Sequence, residues 1–157
     1  LFYLSKDCGK AKAHIDRGIN LGGTVDIYNS GGIVNLICGD LENAKKNLKR
    51  ALSLAPNDQG WFVTSQLVVT LYQLGDVDEI KELIFEKIDY IDMPAHMVAI
   101  YAAIQIDDNN LDEAKKYLEV ANKKGLTEAS IFRQFFKPNP AKEFIEKIRP
   151  YLDIKKN

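Results

Sequence analysis

Long hydrophobic runs are missing from this chain, and so is any excess of charge. No apolar stretch approaches the roughly 18 residues needed to cross a bilayer, so no membrane contact is expected of this segment. Lysine and arginine number 21 against 22 aspartates and glutamates, a formal net charge of -1. The clustered cationic excess that a nucleic-acid surface needs is absent from that balance, so no bound nucleic acid is expected. Histidine occurs twice, as His14 and His96. A zinc centre gathers three or four ligands, and Cys8 with His14 is no such cluster, so no metal is expected. There is no Gly-x-Gly-x-x-Gly or Gly-Lys-Ser loop, and no serine in a Gly-x-Ser-x-Gly setting. The carboxylates Asp107-Asp108 and Asp76, Asp78 and Glu79 fall at helix boundaries, where capping and the helix dipole account for them better than acid–base work or calcium binding. On these absences neither an enzyme nor a cofactor is expected. No segment alternates with period two for long enough to make a strand. Cysteine is scarce as well. Cys8 and Cys38 stand in no metal-like spacing, and buried reduced thiols are the favoured expectation, with a disulfide the alternative.

What is present is helical periodicity. The 157 residues, 46% hydrophobic and 27% charged, suffice for one domain with a real core. Gly39 suits the left-handed residue that closes a helix, and Asp40 is a good cap for the next. Leu41, Ala44, Leu48, Ala51 and Leu52 then recur at three and four, and Pro56 blocks continuation. Lys45, Lys46, Lys49 and Arg50 occupy the other face, which reads as a solvated outer surface before it reads as an anion contact. The pattern returns at Gly75, where Asp76 and Glu79 resemble a capping box before Val77, Ile80, Leu83, Ile84 and Ile88. It returns again at Asn109, where Asn110 and Glu113 precede Leu111, Ala114, Leu118 and Ala121. A degenerate copy begins at Lys6-Asp7-Cys8. The spacing of about 33 to 36 residues marks a repeat architecture.

Each of these helices follows another: Val25 to Cys38 with Thr24 as cap, Trp61 to Leu74 with Asp58 as cap, and Pro94 to Ile106. The segment from Trp61 is apolar nearly all round and should be buried on more than one side. Beyond Ala121, Thr127 caps a short helix to Phe136, Pro138-Asn139-Pro140 should break the chain, and a last helix runs from Ala141 to Leu152.

The stretch Val25 to Asp58 resembles a tetratricopeptide repeat, a 34-residue helix–turn–helix unit. Gly32, Ala44, Leu48, Ala51 and Pro56 fall on its small, small, bulky, small and proline positions. The unit from Trp61 keeps Trp61, Leu67, Gly75 and Ile84 but places Val68, Ile80 and Lys87 where the family has small residues. The unit from Ala95 keeps Ala102, Ala114, Leu118 and Ala121. The resemblance implies an all-α fold: a right-handed superhelix of antiparallel helix pairs with extra C-terminal helices. It implies a single domain over 1–157, with a partial repeat over 1–24, repeats at 25–58, 61–94 and 95–128, and C-terminal helices over 129–157. Ala44 and Ala51 should lie against Gly32.

In this family the first helix of each pair lines a concave groove, whose contact positions here are Asn29, Ile33 and Leu36, then Phe62, Ser65, Val69 and Tyr72, then His96, Ala99 and Ala103. With Asn29 and no lysine or arginine among them, a clamp for a peptide carboxylate is not expected. The groove would be filled by the chain's own termini or a second copy, giving a possible homodimer, or by an amphipathic partner helix. The tail from Leu126-Thr127 through the Phe-rich helix to Leu152 is similar to the C-terminal regions of bacterial winged-helix transcriptional activators and class III nucleotide cyclases. The expectation is a non-catalytic protein–protein interaction module, the C-terminal regulatory or sensory domain of a winged-helix transcriptional regulator. The alternatives are the regulatory repeat region of a signalling enzyme such as an adenylate cyclase, and a self-association scaffold. A chain that begins without Met fits a piece of a longer protein. Its compartment would be the cytoplasm, or the periplasm if the parent is membrane-anchored.

Overall fold

The computed structural model describes residues 7–55, 61–85 and 92–154. Among the described residues the chain is helical and holds no β-strand. Helix α1 spans Cys8–Asn20, α2 Val25–Cys38, α3 Leu41–Leu54, α4 Phe62–Leu74 and α5 Val77–Phe85. Then come α6 at Ala95–Asp107, α7 at Leu111–Lys123, α8 at Glu128–Phe135, α9 at Pro138–Ile148, and a 3-10 turn at Arg149–Tyr151. The chain divides into two compact units, Leu1–Thr70 and Leu71–Asn157.

In the first unit the helix starts are made as the residues predict. Asp7 caps α1 by accepting from the Lys10 N–H at 3.0 Å, and Thr24 caps α2 by accepting from the Ile27 N–H at 3.4 Å. Helix α2 closes on Gly39 at φ 80°, a left-handed conformation that costs a side-chain-free residue little. Asp40 then caps α3, accepting from the Asn43 N–H. The apolar stripe of α3 turns inward, and Ala44, Leu48 and Ala51 are fully buried where α3 packs on α2. The close approach differs in one respect from the expected pairing with Ala44 and Ala51. A methyl added to Gly32 would overlap the Leu48 side chain. The volume that glycine leaves free is filled by the bulky residue of the opposing stripe. Pro56, Asn57 and Asp58, expected to stop α3 and cap the next helix, lie outside the described residues.

In the second unit α6 is buried continuously from His96 to Gln105, while α7 buries one stripe, Ala114, Leu118 and Ala121. They pair as a hairpin through Asn109, held at φ 61°, a conformation asparagine tolerates. Asn110 stands at the cap position, but its side chain accepts no bond from the helix start; its amide N–H donates to Gln105 Oε1 at 3.1 Å. Thr127 and Ser130 form a reciprocal capping box at the start of α8. The expected break at Pro138-Asn139-Pro140 is instead the first turn of α9. Prolines there remove only N–H groups that have no intrahelical partner, so the helix begins three residues before the expected Ala141. Its α-helical part ends at Ile148, short of Leu152, because Pro150 turns the chain into a 3-10 segment. Lys87 and Ile88 lie outside the described residues.

Candidate interaction surface

The ten groove positions fall on single faces of three helices: Asn29, Ile33 and Leu36 on α2, Phe62, Ser65, Val69 and Tyr72 on α4, and His96, Ala99 and Ala103 on α6. They do not form one exposed surface. Leu36, Val69, Ala99 and Ala103 are fully buried, and Asn29, Ser65 and His96 are nearly so. Ile33 and Tyr72 are half-buried. Phe62 stands apart at 64% exposure, a large apolar ring presented to solvent at the start of α4.

Tyr72 shows what covers part of this face in the second unit. Its ring meets Phe144 of α9 edge-on at 5.5 Å between centroids and Phe135 of α8 at 6.1 Å. The Lys147 ammonium sits 5.8 Å from the same ring centroid and binds both carboxylate oxygens of Asp107, at 2.7 and 2.8 Å. Burial raises the Tyr72 phenol above its usual value, against the opposing pull of Lys147. Burial is the largest single influence on Lys147 and disfavours its charge, but the hydrogen bonds and charge interactions with Asp107 and Tyr72 together outweigh it and hold the pKa up. The second unit's own C-terminal helices therefore lie over this tyrosine.

His96 has the opposite character. Burial pushes its pKa down to about 4, and its Nε2 finds no partner among the described residues. It is a neutral, sealed imidazole. The Asn29 Oδ1 is likewise buried and unpaired.

At two places the structure departs from the favoured sequence reading. Cys8 and Cys38 are joined in a disulfide, with Cα atoms 5.9 Å apart, so the expectation of reduced thiols is overturned. The reason is topological. Cys8 opens α1 and Cys38 closes α2, and the four-residue turn between the helices folds them into a hairpin whose far ends meet. The signal was there in the placement of one cysteine at a helix start and one at the next helix's end. The second departure concerns Lys46 and Arg50. They line a cleft between α1, α2 and α3, where a plain solvated face was the favoured expectation.

Among the described residues no group of three or more His, Cys, Asp or Glu side chains is placed to hold a metal ion, and no helix is long and apolar enough to cross a membrane.

Comparison with known proteins finds one family. A tetratricopeptide repeat model matches residues 26–58. No curated protein and no solved structure matches the chain. The matched segment holds nearly all of α2, all of α3, and the Gly32–Leu48 contact between them. The α2–α3 hairpin is accordingly a tetratricopeptide repeat, and the chain carries it within an all-α fold of paired helices.

Proposed function

We propose that this chain is a non-catalytic protein–protein interaction module serving as the sensory or regulatory domain of a larger bacterial regulator. The repeat at residues 26–58 carries this reading, because tetratricopeptide repeats generally mediate protein–protein contacts. The parent we favour is a winged-helix transcriptional regulator, on the likeness of the tail from Leu126 onward. The Cys8–Cys38 bond favours an oxidising compartment. That fits a membrane-anchored parent with this domain in the periplasm better than a cytoplasmic one. The cyclase parent is distinguished by the gene upstream of Leu1: a cyclase core there replaces the winged-helix reading.

The partner is an amphipathic helix, and Phe62 is its anchor. An aromatic ring left this exposed loses water-contacting area when a partner covers it, at about 25 cal/mol per Å2, and aromatic residues dominate binding hot spots. Tyr72, held by Phe135 and Phe144, has its ring engaged within the chain. The test is selection of binders from a displayed library of amphipathic helices, followed by titration of the selected peptides against Phe62→Glu. We expect at least a tenfold loss of affinity, about 1.4 kcal/mol, with an unchanged melting temperature. Peptides that bind wild type and Phe62→Glu equally would remove Phe62 from the recognition surface.

A further inference from the structure

The cleft between α1, α2 and α3 in the first unit has a volume of about 720 Å3, within the range of small-molecule sites. Helix α3 gives it a face that is polar at every turn: Asn43, Lys46, Asn47 and Arg50. Helices packed side by side on a third normally close over it with apolar side chains. Here the apolar stripe of α3 is fully used against α2, and what α3 turns towards α1 is amide and cation. The space between them is therefore mixed in character, with Ile15, Ile19 and Val34 lining it beside these polar groups.

Some of these groups are engaged by one another. The Lys12 ammonium pairs with the Asp40 carboxylate, and the Asn43 side-chain amide donates to both Asp40 oxygens, at 3.0 and 3.1 Å. Those contacts hold the Asp40 carboxyl below its usual range. The Arg50 guanidinium lies over the Tyr28 ring at 5.9 Å and gives one donor to Ser53 Oγ at 3.5 Å. A guanidinium has five donors, so most of its fork is uncommitted.

Others are left open. Asn35, at the floor on α2, is 7% exposed and lines the cleft. Its side-chain amide makes no hydrogen bond among the described residues. Neither does that of Asn47. Neither amide is among the buried unpaired groups of the described residues, so both keep access to the cleft. Gly31 keeps the adjoining floor low. A methyl there would come within 2.8 Å of Asn47 Nδ2 and 2.7 Å of Ile15, displacing the amide from where it stands. Three cations and two carboxylates line the cleft, and one pair neutralises itself. Lys46 and Arg50 remain against Asp16.

We propose that this cleft binds a small polyhydroxylated carboxylate, of the sugar-acid class. Its carboxylate lies on Lys46 and Arg50, a guanidinium being matched to the two oxygens. Its hydroxyl groups meet the Asn35 and Asn47 amides, which both donate and accept, and the Asp16 carboxylate, which accepts. A neutral sugar lacks the group for the cations, and a simple carboxylate lacks the groups for the amides.

The probe is D-glucuronate, added to the whole 157-residue chain and followed through the side-chain amide signals of Asn35 and Asn47 in nitrogen–proton NMR spectra. Glucose and acetate serve as the two partial ligands. The expected result is saturable shifts of both amides with glucuronate, and affinity at least about tenfold lower for glucose and for acetate. Lys46→Gln, an exposed change, and Asn47→Asp, nearly isosteric, each lower glucuronate affinity about tenfold or more while the melting temperature holds. No shift up to tens of millimolar glucuronate overturns the proposal. So does equal binding of glucose or acetate, or affinity unchanged in Lys46→Gln. None of these readouts involves Phe62, so failure here is separable from failure of the helix-binding surface.

Discussion

At Gly32 the packing between α2 and α3 depends on a missing methyl group. Alanine raises helix propensity by about 1 kcal/mol over glycine in a helix interior, and on that ground alone Gly32→Ala would stabilise. The added carbon would overlap Leu48, which is fully buried and has no free direction in which to move. Overpacking costs about 1–3 kcal/mol, so we expect a net destabilisation of up to about 2 kcal/mol, read as a lower urea midpoint at unchanged slope. His96 makes a prediction about pH. Its folded pKa of about 4 lies below the ordinary histidine value of 6.5, so the unfolded chain binds a proton that the folded chain refuses. The contribution of this residue is fully present above pH 6.5 and is lost as pH falls from there towards 4. The loss is on the order of 3 kcal/mol, visible as a falling melting temperature across that window. His96→Gln should flatten that part of the profile, and an unchanged acid slope would mean that other groups set it.

Among the elements, α1 and α2 are tied at their far ends by the Cys8–Cys38 disulfide. Closing a loop with a sequence separation of 30 limits the unfolded chain, and the loop-entropy relation puts the effect at about 3–4 kcal/mol. The double variant Cys8→Ser with Cys38→Ser should melt well below the oxidised protein, and a reductant should lower the melting temperature of the wild type alone. In the second unit α8 and α9 are joined to the end of α4 by three aromatic rings, Tyr72, Phe135 and Phe144. Phe144 is almost wholly buried, and Phe144→Ala should cost about 3–5 kcal/mol. It should also return the Tyr72 phenol towards an ordinary pKa in an ultraviolet titration, because the cause of its elevation is burial. A phenol that titrates as before would mean that the rings of α8 and α9 do not provide that burial. The surface ion pairs matter less. Lys81 of α5 with Asp108 after α6, and Arg149 with Glu128 of α8, at 2.7 Å each, are partly solvated and contribute little.

Over the whole molecule, the division into two compact units implies that damage is felt locally first. Repeat proteins gain stability from each unit and its neighbours, not from one central core. Ala44→Glu buries an unpaired charge against α2, at a cost of about 3 kcal/mol or more. Hydrogen exchange should then quicken in α1 to α3 before it does in α6 to α9, and uniform acceleration throughout the chain would show that it unfolds as one. The helices themselves were legible residue by residue. Gly39, Asp40, Thr24 and Thr127 mark starts and stops that depend on local backbone chemistry, and the stripes at three and four name the buried faces of α3 and α7. The all-α class and the repeat at α2–α3 follow from that local information. The prolines at 138 and 140 misled because a proline stops a helix or starts one according to the turn it occupies. Tertiary structure decided what local patterns do not encode. It joined Cys8 to Cys38 by folding two helices into a hairpin. It laid Phe135 and Phe144 over Tyr72, and it left Phe62 uncovered while burying Val69 and Ala99, which belong to the same set of groove positions. It turned a charged face of α3 into one wall of a cleft by setting α1 opposite it. Periodicity tells which side of a helix is apolar; only the arrangement of its neighbours determines what each side meets.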